Sequence, residues 1–297
     1  MLEVTELPAG QRNAIGVTLG LLGDEWSLLI LREALLGADR FVDWRARLPI
    51  SNAVLTARLN RLTEAGLFLR GNGYRLTERG ADVWSILLSI WAWEDRWVAS
   101  HVERLPGRVH RPCGKPFDPV LVCSACDTPV LAIDHSLEGG FGPSGSWERS
   151  VPEATTRRRA ADGAPRRPSS DAAFFPQTTA LIGNRWSAAL VGAAFQGVHR
   201  FSDFQRCLNT SPTMVADRIR TLHALGVLAD DYRLTAKGLA FFPVVMCLVG
   251  WAQRWYRAAE GPALVHRHLP CGTDFVAALD CSSCGDRLVR KDVVPTS

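Results

Sequence analysis

No uninterrupted apolar run reaches the roughly 18 residues a membrane span needs, and the N-terminus shows no basic stretch followed by an apolar one. A membrane partner and a secretory leader are therefore not expected, and a cytoplasmic protein is. Lysine is nearly absent, at positions 115, 237 and 291 only, so the basic charge is arginine. Net charge is just +4, too little to demand a nucleic-acid partner by itself. The sequence has no Walker A motif, dinucleotide fingerprint, Gly-x-Ser-x-Gly elbow or His-Glu-x-x-His pair, which argues against an enzyme. The 47% apolar and 22% charged residues exclude a chain disordered throughout. At 297 residues, two domains are the simplest expectation.

What is present is a repeat. Leu22-Gly23-Asp24-Glu25-Trp26-Ser27 returns as Ile182-Gly183-Asn184-Arg185-Trp186-Ser187, an offset of 160. Arg40-Phe41, Ser51, Arg58 and Gly66 return at the same offset as Arg200-Phe201, Ser211, Arg218 and Gly226. From Tyr74-Arg75-Leu76-Thr77 onward the offset is 158, and it holds through Trp93, Trp97, His110, Cys113, Cys123 and Cys126. The chain is a tandem duplication.

Each copy reads as mainly helical with a small hairpin. In the first, Asp24 caps a helix that Gly37 ends, and a short helix runs over 40–48. Ser51 caps a helix burying Leu55, Leu59 and Leu62, which Gly66 terminates. Two short strands flank Gly71-Asn72-Gly73, and Thr77 caps a long final helix. This order is that of a winged helix-turn-helix, with the Ser51-capped helix as the groove reader. Residues 135–170, rich in Gly, Pro, Ser and Arg, read as a flexible linker, either merely solvated or touching phosphates through its arginines. The expected units are a winged helix over 1–100, a metal module over 101–134, the linker, a second winged helix over 171–258 and a second module over 259–297.

The run Leu22-Gly23-Asp24-Glu25-Trp26-Ser27-Leu28-Leu29-Ile30-Leu31-Arg32-Glu33, with Arg40-Phe41, Ile50-Ser51 and Leu76-Thr77-x-x-Gly80, resembles the signature of HxlR-type regulators. The resemblance covers about 11–100 and 171–258. It implies a MarR-like winged helix that binds DNA as a dimer and regulates transcription. Members of that family usually place a cysteine thirteen residues before the signature tryptophan. Asn13 and Ala173 stand there, so a thiol switch at that site is not expected. The wings are shorter than the family's, and the second carries Asp230-Asp231 at its tip, which would repel phosphate.

The candidate DNA contacts in the first copy are Arg40, Arg45, Ser51, Asn52, Thr56, Arg58, Asn60 and Arg61. In the second they are Arg200, Ser211, Thr213, Arg218 and Arg220, with Asp217 as an acidic intruder. The bland alternative for Arg58 and Arg218 is a surface ion pair. Two unequal heads in one chain suggest a pseudo-dimer on an imperfect inverted repeat of a double-stranded operator, leaving room for further homodimerisation. A ligand- or protein-binding scaffold that lost specific DNA contact is the competing function.

His110-x2-Cys113-x9-Cys123-x2-Cys126 recurs as His268-x2-Cys271-x9-Cys281-x2-Cys284. Three thiolates and one imidazole at knuckle spacing point to structural zinc, about two per chain, one in a zinc-ribbon-like module after each winged helix. Ribbons that lost their metal and a disulfide switch are the alternatives, and His266 could replace His268. Cys207 and Cys247 read as inert core residues. Trp84, Trp91, Trp93, Trp97, Trp251, Trp255 and Tyr256 crowd the final helices. They suit packing between the copies or a pocket for a planar aromatic effector.

Overall fold

The computed structural model describes residues 4–99, 107–132, 136–151 and 175–295. The first copy runs β1 (Thr5–Leu7), α1 (Ala14–Leu22), α2 (Glu25–Leu35), α3 (Phe41–Arg47), α4 (Asn52–Glu64), the hairpin β2 (Phe68–Arg70) and β3 (Tyr74–Leu76), α5 (Glu78–Asp82) and α6 (Trp84–Trp97). Asp24 accepts from the Ser27 amide at 3.2 Å, and Ser51 accepts from Val54 at 3.3 Å. Gly66 takes φ +74, the left-handed turn that only glycine adopts without strain. Trp44 is fully buried between α3 and the hairpin. Its indole nitrogen donates to the Ile30 carbonyl at 3.0 Å, and its ring meets Phe68 and Tyr74 edge-on. Leu55, Leu59 and Leu62 are all fully buried, which fixes the opposite face of α4 outward.

The first ribbon follows as β4 (Arg108–His110), β5 (Lys115–Pro116) and β6 (Pro119–Cys123). The second copy repeats the helices as α8 (Pro176–Ile182), α9 (Arg185–Phe195), α10 (Phe201–Leu208), α11 (Pro212–Ala224), α12 (Ala236–Leu239) and α13 (Phe242–Trp255). Strand β8 (Tyr256–Ala258) and a second ribbon, β9 (Leu264–His268), β10 (Thr273–Asp274) and β11 (Ala277–Cys281), complete it before β12 (Val293–Pro295). Its wing is reduced to one bridge, Leu228 to Leu234, with Tyr232 at φ +63.

Two expectations change. The final helix of each copy is broken, at Val83 and at Ala240–Phe241, so that a short capped turn stays on the wing while α6 and α13 cross to the other copy. The expected linker is ordered over 136–151. Strand β7 (Leu137–Phe141) pairs with β9, and α7 (Trp147–Ser150) packs on α1. Composition marked this segment as loop, yet its backbone groups are satisfied by the edge of β9. The remainder of the expected linker, residue 135 and 152–170, lies outside the described residues.

The copies are interlocked about a pseudo-two-fold axis. Repeat-equivalent residues meet each other there: Ser89 faces Cys247 at 3.4 Å, and Leu121 pairs with Leu279 between β6 and β11. Residues off the axis exchange reciprocally, as self-complementary interfaces require. Trp93 Nε1 donates to the Lys237 carbonyl at 3.0 Å, and Trp251 Nε1 donates to the Arg79 carbonyl at 3.1 Å. Glu94, fully buried, accepts from the Thr178 amide at 2.7 Å and satisfies a free donor at the start of α8. One apolar core runs through both copies. The stretch Ala236–Trp255 is long and apolar enough to cross a membrane, but half of it is buried within the protein. Its apolar character belongs to that core.

Candidate nucleic-acid interface and metal centres

Helix α4 is held with Ser51, Asn52, Thr56 and Asn60 exposed in a row. The side chains of Asn52, Thr56 and Asn60 make no hydrogen bond among the described residues. Around them, Arg40, Thr56, Arg70 and Asn72 line a shallow open groove between α3, α4 and the hairpin. Arg70 and Arg75 are exposed on the hairpin, with the Arg70 guanidinium 5.8 Å from the Tyr74 ring. The Arg40 and Asp39 amides hold the Asp43 carboxyl below its usual range, fixing the start of α3.

Three predicted contacts turn back toward the protein. Arg58 Nε pairs with Asp24 at 2.9 Å, Arg61 donates to the Gly20 carbonyl at 2.6 Å, and the Arg45 guanidinium donates to the Ile50 carbonyl. They brace the helix-turn-helix from its flank. Helical periodicity separates buried from unburied positions but does not tell the flank of a helix from its crest. Arg70 and Arg75 escaped the reading of the sequence, although alternation along a two-stranded hairpin is the signal that exposes them.

The second reading head differs in charge. Ser211, Thr213, Arg220 and Arg200 are exposed, and Ser211 caps α11 through Met214 at 3.3 Å. Arg218 is ion-paired with Asp217, and Arg220 reaches the same carboxylate at 3.4 Å. At the wing, Asp230 and Asp231 are exposed, and Arg233 is drawn to Asp231 at 3.3 Å.

The cysteine and histidine pairs come together, but across the copies. One cluster is His110, Cys113, Cys281 and Cys284, and the other is His268, Cys271, Cys123 and Cys126. Each takes the first knuckle of one copy and the second knuckle of the other. This corrects the expectation that each copy closes its own site. The cause is topological: β6 and β11 pair antiparallel on the pseudo-axis, so each delivers its CxxC turn to the opposite first knuckle. The outer strands follow the same exchange, β12 pairing with β4 as β7 pairs with β9.

His110 Nδ1 lies 3.5 Å from Cys113 Sγ and 3.3 Å from Cys284 Sγ. His268 Nδ1 lies 3.2 Å from Cys271 Sγ and 3.4 Å from Cys126 Sγ, and Cys123 and Cys271 sulfurs are 3.9 Å apart. A tetrahedral zinc site has edges of about 3.8 Å between sulfurs and about 3.5 Å between sulfur and nitrogen. The donor sets fit such an ion. All eight cysteines are free thiols, and 3.9 Å is a ligand edge, not a disulfide bond. Hydrogen bonds from Thr273, with His268 beside it, pull the Cys271 thiol down to about 6. His266 belongs to neither cluster. Burial pushes Cys247 up to about 11 and raises Cys207 as well, which leaves both thiols protonated.

The family described as HxlR-like helix-turn-helix matches residues 21–102 and 181–260, more than half of the chain. An uncharacterized HTH-type transcriptional regulator of Mycobacterium tuberculosis is 36% identical over 139 residues, covering 44% of this chain and 87% of the relative. A Bacillus subtilis protein of the same description is 29% identical over 92 residues, covering 27% and 85%. A solved structure from Pseudomonas aeruginosa is 35% identical, covers 37% of this chain and 79% of its own, and superposes with a TM-score of 0.29, too low to bear on the fold. The chain thus belongs to the HxlR-like helix-turn-helix family, whose unit it carries twice.

Proposed function

We propose that this protein is a DNA-binding transcriptional regulator whose two winged helices act as a pseudo-dimer within one chain. The observation that carries the reading is the crest of α4. Asn52, Thr56 and Asn60 stand exposed and make no side-chain hydrogen bond among the described residues, Arg40 and Arg70 line the groove beside Thr56, and Arg75 is exposed on the hairpin. Amide side chains hydrogen-bond base edges, and arginines neutralise phosphates. The names of the relatives support the same role. Arg58, Arg61 and Arg45 serve the interface by positioning the helix.

Zinc would be held by the two crossed clusters, four protein ligands each, leaving no open position for catalysis. Its part is structural: it ties the first knuckle of each copy to the second of the other, so the two heads keep one spacing. The domains are then two winged helices on a shared double ribbon.

Selection of genomic fragments bound by the purified protein, followed by footprinting, tests this reading. An imperfect inverted repeat with half-sites about one helical turn apart, bound by one chain, is expected. Binding should fall steeply with salt. A perfect palindrome bound by two chains through their first copies contradicts the pseudo-dimer. No specific binding at any salt concentration would leave the scaffold reading in its place.

A further inference from the structure

We propose that the second copy holds a site for a single-ring aromatic molecule bearing one polar substituent, in a cavity that the first copy has filled. The proposal deepens the regulatory reading and rests on it only for its consequence at DNA. The cavity measures about 120 Å³ and lies between α9, α13 and α7. Ala188, Ala189 and Gly192 of α9 and Val245 and Val249 of α13 form its walls. In the first copy the equivalent positions of the repeat carry Leu28, Leu29, Arg32, Leu87 and Trp91. Every one is larger. His266, also in the wall, corresponds to Arg108, which lies 5.1 Å from the Trp91 ring and so takes part in filling that space.

Protein interiors are packed to crystal density, and a void is not a neutral feature. Five large-to-small differences on one face of one copy leave more than the neighbours close over. Trp147, from the segment between the copies, covers one side, its ring 3.3 Å from where a Gly192 side chain would begin and edge-on to Phe141 at 4.9 Å. The cavity stays open beneath it. Apolar cavities of about 150 Å³ take up benzene, so the size suits one ring. Phe141, Trp147, Phe195 and Phe242 offer edges and faces to such a ring. Ser150, Gln196 and His266 are polar residues of the wall; the Ser150 hydroxyl accepts from Asn13, whereas the His266 imidazole makes no hydrogen bond among the described residues. A hydroxyl or carbonyl on the ring would find its partner there. Occupancy would press on α9, which packs directly against the second reading helix α11.

Phenol is the probe. Titrated calorimetrically into the full-length, zinc-loaded protein, it should bind saturably at one site. Ala189→Leu and Val245→Leu install what the first copy carries, and each should weaken phenol at least tenfold with melting temperature held near that of the parent. Absence of saturable binding, or equal affinity in both variants, overturns the proposal. A mobility shift on the same preparations keeps the two readings apart. Specific DNA binding without phenol binding sinks the cavity alone. Phenol binding lost in the variants, without DNA binding, upholds the cavity and sinks the regulatory reading.

Discussion

Arg79 and Lys237 occupy the same position of the repeat, and each offers its carbonyl to a tryptophan of the other copy. Their side chains have parted. Arg79 is buried, donates to the Ala65 carbonyl at the end of α4 and to Thr5 Oγ1, and lies over Trp255 and Tyr256 at 5.5 and 5.2 Å. Lys237 is half-buried, reaches Gln177 and lies 5.5 Å from Trp93. The first reading helix is therefore anchored at its end to the partner copy by a charged side chain, and the second is not. The surfaces differ in step: amides beside Arg40, Arg70 and Arg75, which form no ion pair among the described residues, on the first head, and carboxylates paired with Arg218, Arg220 and Arg233 on the second. The cores differ in the reverse sense, filled in the first copy and hollow in the second. Duplication within one chain removes the demand that both halves of a dimer do the same thing. One half keeps a filled core, and the other is free to change its own.

The sharpest way to break this comparison is to remove the anchors. Arg79→Ala should cost about 2–4 kcal/mol in chemical denaturation, because a buried guanidinium bonded to Ala65 and Thr5 and lying over Trp255 and Tyr256 is lost. Lys237→Ala should cost about 1 kcal/mol. Equal costs would show that the difference is cosmetic. At the DNA surface, Asn52→Ala should lower operator affinity about tenfold, the loss of one paired base contact. Thr213→Ala in the second copy should change it less. The smallest effect is a gain. Asp217→Ala releases Arg218 and Arg220 and should raise affinity about two- to fivefold, the scale of an exposed ion pair. A fall in affinity would mean that Asp217 positions those arginines for DNA.

Local signals were legible because they depend on near neighbours. Asp24 and Ser51 cap the helices expected of them and Gly66 takes the expected left-handed turn, whereas Thr77 caps only the short α5 ahead of the break at Val83. The eight metal-ligand candidates were legible from their spacing. Their partnership was not, since a knuckle four residues long carries no information about which distant knuckle completes it. That choice is made by the β6–β11 pairing on the pseudo-axis. Likewise the segment 136–151 has the composition of a linker, and only the free edge of β9 and the buried Asn13 reveal its place. Asn13 Nδ2 donates to the Ser144 carbonyl and to Ser150 Oγ, so this side chain latches the connection. Arg58 and Arg61 stand among the expected DNA contacts because a one-dimensional period cannot see the Gly20 carbonyl beside Arg61, and the pairing with Asp24 is the alternative left open for Arg58.

Zinc content of two double variants tests the crossing of the copies most directly. Cys113 and Cys284 share a cluster in the crossed arrangement, whereas Cys113 and Cys123 belong to different ones. The chain with Cys113→Ser and Cys284→Ser should keep about one zinc ion, and the chain with Cys113→Ser and Cys123→Ser should keep almost none. The opposite result, one ion retained when both changes fall in the first copy and none when they are divided between copies, would contradict the account.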